Sequence, residues 1–526
     1  MDSRSSRVLL SFGAIAAVIL AGVAAVGWLL FRPHQQQSLV EATGSGETAR
    51  EVLRVGEDNF AGYAILRSDA VALELKGKGI RLEHRDDAAD YNARIRALAA
   101  GELDLAVFTV DSYLTAGASF GGFPGSIVQV IDESRGADGV VAHKSVVPTI
   151  DALNRADGRI VGTGASPSEY LARLMRADMD LDQLPAEGWF VPTTTVDEAF
   201  ERFKKEKGPV AFVLWEPFLS RAAADPDAVV LLDTSRVRGL LDVLVARREV
   251  LAERPEAVRA VVAASLAEAS RCRREAGRAE ALVQADAQRT GAPSLDAALA
   301  KQVVKGIAWQ GTQENYARFG LLTAEQAAGL PGMEELVVRT VETLVRTRGL
   351  AADPLAGAYG QIFHSGTVLA VLQAEGFRPQ GVGVAEADEV IDAGAALRAL
   401  RPEEWESLTT VGSARVDPIV FARGSDELLP QGRTRLDGLV RSLRFWPTVY
   451  VTVQGNARAD GDMDANKRLA QSRADAVMRH LGSAGVNPNR LRATAAPPST
   501  TTGAAQTVSF RLGQFPMPPA GRLHEP

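Results

Sequence analysis

The chain reads as an α/β protein of several modules behind an N-terminal apolar helix. Three features predict this: an uncharged apolar run near the start, an alternation of strand-like and helix-like stretches after residue 50, and a shorter α/β run after residue 400. At 526 residues the chain is too long for one compact domain and suits two or three. Hydrophobic content of 46% and charged content of 23% fit neither a disordered chain nor a many-span membrane protein. A formal net charge of −7 argues against a nucleic-acid binder, which would carry a basic domain. The single cysteine, Cys272, excludes an internal disulfide, a Cys-rich zinc site, an iron–sulfur cluster and a CxxC centre. The six histidines form no HExxH and no close pair, so no metal and no cofactor is expected.

The elements follow in chain order. Residues Val8 to Phe31 run for 24 positions without a charge. At about 1.5 Å per residue they span roughly 36 Å, enough to cross a hydrocarbon core. A cleaved signal peptide has a shorter apolar core, and Trp28 before Arg32 suits a membrane–water interface, so an uncleaved anchor is favoured. Arg4 and Arg7 precede the run, which leaves residues 1–7 in the cytoplasm and the rest outside it. The expected location is the inner (cytoplasmic) membrane, single-pass, with the bulk of the chain extracytoplasmic. The span carries no carboxylate and reads as a tether. Residues 32–49 are polar with Gly and Ser, a flexible linker.

From Glu51 the pattern is βαβα. EVLRVGED is a strand, Ala61 to Lys76 has helical spacing, GIRLEHRDD is a strand, Asn92 to Ala100 a helix, and Gly101 to Val110 a buried strand. SIVQVID, GRIVGTG, WFVPTT, PVAFVLW, AVVLLDT and DVLVARR continue as strands between helical stretches. Such alternation predicts a parallel-type sheet covered by helices, with ligands at the strands' carboxyl ends. Residues 254–349 read as amphipathic helices broken at 291–293 and 330–332, and 350–402 as a connector with one helix.

The motifs GELDLAVFTVDS, VIDESRGADGVVA, GRIVGTGASPSEYL, VAFVLWEPF and LLDVLVARREVLAERPEAV resemble the solute-binding proteins of ABC importers for nitrate, sulfonates, taurine and pyrimidine precursors. The resemblance covers roughly residues 50–320 and implies a periplasmic-binding-protein type II-like clamshell, placed at 50–349. One lobe would hold about 50–140 and the part after Asp242, the other about 145–235. It further implies that Phe60, Tyr63, Thr109, Asp111, Asp132, Ser134, Ser166, Ser168, Trp215, Glu216 and Asp242 face a cleft that closes on a small molecule. Ser166 to Glu169 open a helix whose free N–H groups suit an anion, and equally make a capping box with Pro167 at its first position. Trp215 either stacks on the ligand or ends a buried strand as core. The strand-end loops are rich in Asp and Glu with Arg135 their only basic residue, which favours an amine or a heterocycle over a free anion. A related branch that makes the thiamine pyrimidine needs cysteines this chain lacks, and no nucleophile–base pair is visible, so an enzyme is not expected.

From about Val416 the order strand, helix, strand, helix, strand resembles OmpA-like domains, which grip peptidoglycan; Phe421, Gly424, Leu436, WPTVYVTVQG, Asn466 and Arg473 carry the likeness. The module is placed at 403–515, with 516–526 a tail. By that resemblance Arg473, Asn466 and Arg458 stand at the peptidoglycan site. Arg458 occupies the loop where the family has an Asp for the peptide's ammonium group. Such a reversal at about 4 Å changes the interaction by roughly 4 kcal/mol at an effective dielectric of about 20, before screening.

The expected protein is thus a membrane-anchored solute-binding protein with an OmpA-like module for docking on the cell wall or a protein. Its expected partners are a small-molecule ligand, an ABC permease, peptidoglycan, and the membrane through residues 8–31. Two rivals stand beside it: a ligand sensor or adaptor uncoupled from import, and a structural peptidoglycan-associated linker without ligand.

Overall fold

Alternating apolar residues build the strands that anchor each part of the chain. The protein is seen in a computed structural model that describes residues 50–292, 294–323, 327, 329–374, 397–457, 459, 461–497 and 508–515. Four strands come first: β1 (Glu51–Glu57), β2 (Ile80–Asp86), β3 (Leu105–Thr109) and β4 (Gly125–Ser134). The chain then crosses to a second sheet made of β5 (Asp138–His143), β6 (Arg159–Thr163), β7 (Phe190–Thr193), β8 (Val210–Trp215) and β9 (Ala228–Asp233). It crosses back to β10 (Leu241–Arg247) and β11 (Ile307–Trp309), so that the first sheet runs β11-β4-β10-β3-β1-β2 and the second β7-β6-β8-β5-β9. Two α/β lobes joined by two crossing segments result.

Both sheets are mixed rather than all-parallel. β1 is parallel to β2 and β3, whereas β10 is antiparallel to β3 and β4. In the second lobe β6 is parallel to β7 and β8, and β5 antiparallel to β8 and β9. The expectation of a parallel-type sheet is corrected here. A strand that enters a lobe from the other lobe arrives without a βαβ crossover, so its direction is set by the side from which the chain comes.

Two further stretches differ from the sequence reading. Ala61 to Lys76 is a 3₁₀ turn (Ala61–Ile65) followed by a helix (Asp69–Gly77), because the Ser68 side chain caps the second piece by accepting from Val71 N. Residues after 350 continue the first lobe: the helix Ser365–Ala374 packs on the helix Pro255–Arg274, with Ile362 and Val368 buried. The helix expected in EVIDAGAALRAL, 389–400, lies outside the described residues up to 396, and its last four positions, 397–400, are not helical. The apolar run at 8–31 also lies outside the described residues; among the described residues no helix is long and apolar enough to cross a membrane.

The third sheet, β12-β15-β13-β14, is formed by β12 (Thr409–Ser413), β13 (Tyr450–Gly455), β14 (Leu491–Ala495) and β15 (Val508–Gln514). The helices Pro430–Arg444 and Met463–Ser483 pack with it. Gly455 is required by packing: a Cβ there would overlap the Ala470 carbonyl of the second helix. Glu51–Pro526 forms one compact unit, and one apolar core runs through both lobes and this third sheet.

Candidate functional site

Strand register assembles the site. Asp242 on β10 pairs with Thr109 on β3 and with Asp132 on β4, and Asp132 pairs in turn with Trp309 on β11. Residues directly opposite in antiparallel strands share a face, so these four side chains form one row near the lobe's crossing edge. Tyr63 lies over it, its hydroxyl donating to Asp242 Oδ1 at 2.6 Å, and Phe60 meets the Tyr63 ring edge-on at 5.3 Å. Trp309 Nε1 donates to the Gly62 carbonyl at 2.8 Å. A Cβ on Gly62 would overlap Asp132 Oδ2, so only glycine lets the turn come this close to the carboxylate.

The row is buried and acidic. Asp132 is 0% exposed and Asp242 5% exposed, yet neither oxygen of Asp132 receives a hydrogen bond from any N–H or hydroxyl group. Burial, then the Asp242 charge, raises Asp132 well above the usual carboxylate range. Burial pushes Asp242 up to about 8, against the hydrogen bond from Tyr63. Thr109 caps the helix Val110–Phe120, whose first turn holds Asp111. Asp111 is pushed by burial to about 7, with the charges of Glu169 and Asp138 in the second lobe adding to the rise. Asp138 is pushed by burial to about 6 although Ser134 Oγ donates to it at 2.6 Å.

Neighbouring cations are committed elsewhere. Arg94, its side chain fully buried, pairs with Asp58 at 3.0 Å and with Asp87. Arg67 holds Asp286 and Glu57, and Arg318 holds Glu133 at 3.2 Å. Glu169 is held by Arg173 at 2.6 Å. Among the described residues no cation pairs with Asp111, Asp132, Asp138 or Asp242.

The remaining expected residues are distributed around this row. Ser134 stands at the first crossing segment, with the Thr234 hydroxyl of the second only 2.9 Å from its Oγ; Thr234 also accepts from Gly136 N at 2.7 Å. Ser166 caps the helix Pro167–Asp178, accepting from Ser168 N and donating to the Thr163 carbonyl at 2.7 Å. Glu169 reaches Ala165 N rather than the Ser166 amide, so the box closes one residue early. Ser168 is 0% exposed and its Oγ has no partner. Trp215, half-buried, packs against the second lobe's core. Glu216 accepts from Ser220 Oγ at 2.7 Å and from Gln302 Nε2 at 3.1 Å, the latter from a helix of the first lobe. Phe60, Tyr63, Thr109, Asp132 and Asp242 therefore come together and Asp111 lies beside them, while Trp215 stands opposite Asp138 on the second sheet and Glu216 N donates to the Ala137 carbonyl. Thr234 and Trp309 escape sequence reasoning: only pairing across the sheet or the crossing segments brings them in.

In the third-sheet module Arg473 is buried, donates to the Ser425 carbonyl at 2.9 Å and lies 4.9 Å over the Phe421 ring. Burial lowers its pKa. Asn466 sits in the first turn of the helix Met463–Ser483, capped by Asp462. Arg458 lies outside the described residues.

This module is fastened to the lobes. Trp446, 1% exposed, donates to Asp178 Oδ2 at 2.7 Å, Arg339 pairs with the same carboxylate, and the Arg339 guanidinium lies 4.4 Å over Phe445. The Phe445 carbonyl accepts from Arg238 N, in the second crossing segment, at 2.8 Å. A cavity of about 460 Å³ lies at this junction, lined by residues including Asp178, Arg339, Arg415 and Phe445.

The OmpA family matches residues 420–507. The probable lipoprotein YiaD of Escherichia coli (strain K12) is 35% identical over 106 residues, covering 19% of this chain and 48% of that protein, so the chain spans about half the relative's length. Among solved structures, the periplasmic aliphatic sulphonate binding protein SsuA from Escherichia coli is similar at 17% identity and TM-score 0.46, covering 61% of this chain and 99% of that one. The periplasmic nitrate-binding protein NrtA from Synechocystis PCC 6803 is similar at 13% identity and TM-score 0.44, covering 61% and 88%. At those values the two-lobe architecture rests on the strand order and crossings described above. The chain combines a two-lobe α/β body with a C-terminal module whose residues 420–507 match the OmpA family.

Proposed function

We propose that this chain is an extracytoplasmic receptor, anchored in the inner membrane through residues 8–31, that captures a small molecule between its lobes by hinge closure. Its chemistry is capture rather than catalysis. One observation carries the reading: buried carboxyl oxygens of the first lobe to which no N–H or hydroxyl group donates, Oδ1 of Asp111 and both of Asp132, lie near Asp138 and Glu169 from the second, beside two short crossing segments. Closure of such a body is a population shift driven by ligand contacts to both sides. An amine or heterocycle suits the acidic row and its aromatic cover. The OmpA domain serves cell-wall or protein docking, with Arg473 and Asn466 at its peptidoglycan site. An ABC permease is the partner if the captured molecule is imported.

A sensor role has its own support: the Phe445 carbonyl is bonded to the crossing segment at Arg238, so a hinge movement would be felt by the docked module. Native mass spectrometry of the purified chain should show a co-purified small molecule, and solution scattering a smaller radius of gyration once it is restored to stripped protein. Binding without compaction would count against hinge closure.

A further inference from the structure

Four carboxylates lie buried where the lobes meet, with no cation among the described residues to balance them: Asp111, Asp132, Asp138 and Asp242 are 5%, 0%, 8% and 5% exposed. Ser134 donates to Asp138 and Tyr63 to Asp242, but no N–H or hydroxyl group donates to either oxygen of Asp132 or to Oδ1 of Asp111. The fully buried Ser168 hydroxyl of the second lobe is also without a partner. Such groups are costly to bury unless something completes them. Phe60, Tyr63 and Trp309 add aromatic surface against the row.

We infer that the captured ligand is a small organic cation with at least two N–H donors, taken up against Asp132 and Asp242 in exchange for a proton. The inference rests on the capture reading and specifies its ligand class. Before capture, burial keeps both carboxyl groups protonated and one of their protons bridges them, since like charges this dry do not both ionise. When the cation arrives its N–H groups donate to the carboxyl oxygens, one proton leaves to solvent, and no bond within the ligand changes.

The groups facing this pair are Tyr63 and Asp58 from the segment after β1, Glu133 on β4 and Asp138 on β5. Glu133 is already neutralised by Arg318 and Arg135, and Asp58 by Arg94. None of them supplies the missing positive charge. A free anion is disfavoured at the Pro167 helix as well, because the Ser166 hydroxyl already accepts from Ser168 N, Pro167 has no N–H, and Glu169 and Asp111 add negative charge nearby.

The test is calorimetric titration of the full chain with 1,4-diaminobutane, benzamidine and tyramine, and with inorganic phosphate and ethanesulfonate, in buffers of different ionisation heat. At least one cation is expected to bind with release of one proton. Its affinity should rise about tenfold per pH unit between pH 5 and 7. Asp132→Asn should remove that slope and weaken binding at least tenfold, with Asp242→Asn as the second variant and thermal melting as the check on folding. Binding of phosphate or ethanesulfonate without any cation would overturn the ligand class and leave capture standing. Cation binding without proton release would overturn the exchange. Silence from both classes would overturn this inference and the capture reading together.

Discussion

Asp242 shows how a residue acquires its chemistry from its neighbours. An aspartate in water ionises near pH 3.9. Enclosed on β10 beside Asp132, Asp242 keeps its proton to about pH 8. Asp111, at about 7, and Asp138, at about 6, behave likewise for the same reason, loss of water around the charged form. In each case the folded protein binds more protons than the unfolded chain above about pH 4, so stability falls as pH rises through these values and levels off beyond the highest. The slope approaches about 1.4 kcal/mol per pH unit for each such group. The unliganded protein should therefore melt at lower temperature at pH 8 than at pH 5, and Asp242→Asn should flatten the upper part of the curve. A melting temperature that climbs steadily from pH 5 to 8 would contradict the assignment. The acidity of the loops was legible in the sequence. That four carboxylates would share one dry locality was not, because Asp242 lies more than 100 residues along the chain from the other three.

At the scale of elements, periodicity exposed most strands and the cap at Ser166, since both are local: a strand alternates every two residues, and a cap needs only three or four neighbours. It failed where distant parts decide. β11 has only three residues and pairs with β4, so no window of sequence distinguishes it from the helices around it. Strand direction in the lobes likewise depends on crossings between them. In the third sheet, the Met463–Ser483 helix crosses β13 so closely that Gly455 admits no side chain. Gly455→Ala should destabilise this module by about 1–3 kcal/mol through overpacking. Limited proteolysis should then cut within 409–514 sooner than in the lobes; unchanged resistance there would show that the helix can move aside.

Across the whole molecule, the C-terminal module is held against the two-lobe body by the buried hydrogen bond from Trp446 to Asp178, by Arg339 stacked on Phe445, and by a backbone bond to the crossing segment, while Arg339 and Asp178 pair within the body. Removing the neutral donor while keeping the carboxylate tests this fastening. Trp446→Phe should cost about 1.5–3 kcal/mol, the range for a hydrogen bond to a charged group. A double-mutant cycle with Arg339→Met should give a coupling of at least about 0.5 kcal/mol in denaturant melts. Strict additivity would mean that the two contacts do not act together. The sequence by itself determined the α/β class, an OmpA-like C-terminal module, the exclusion of an internal disulfide and the set of acidic strand-end residues, because each follows from composition, local period or short motifs. Only the tertiary structure decided which of those residues meet, that no cation among the described residues pairs with them, and that the C-terminal module touches the second crossing segment. Those facts depend on strands and modules far apart in the chain, and on how much water remains between them.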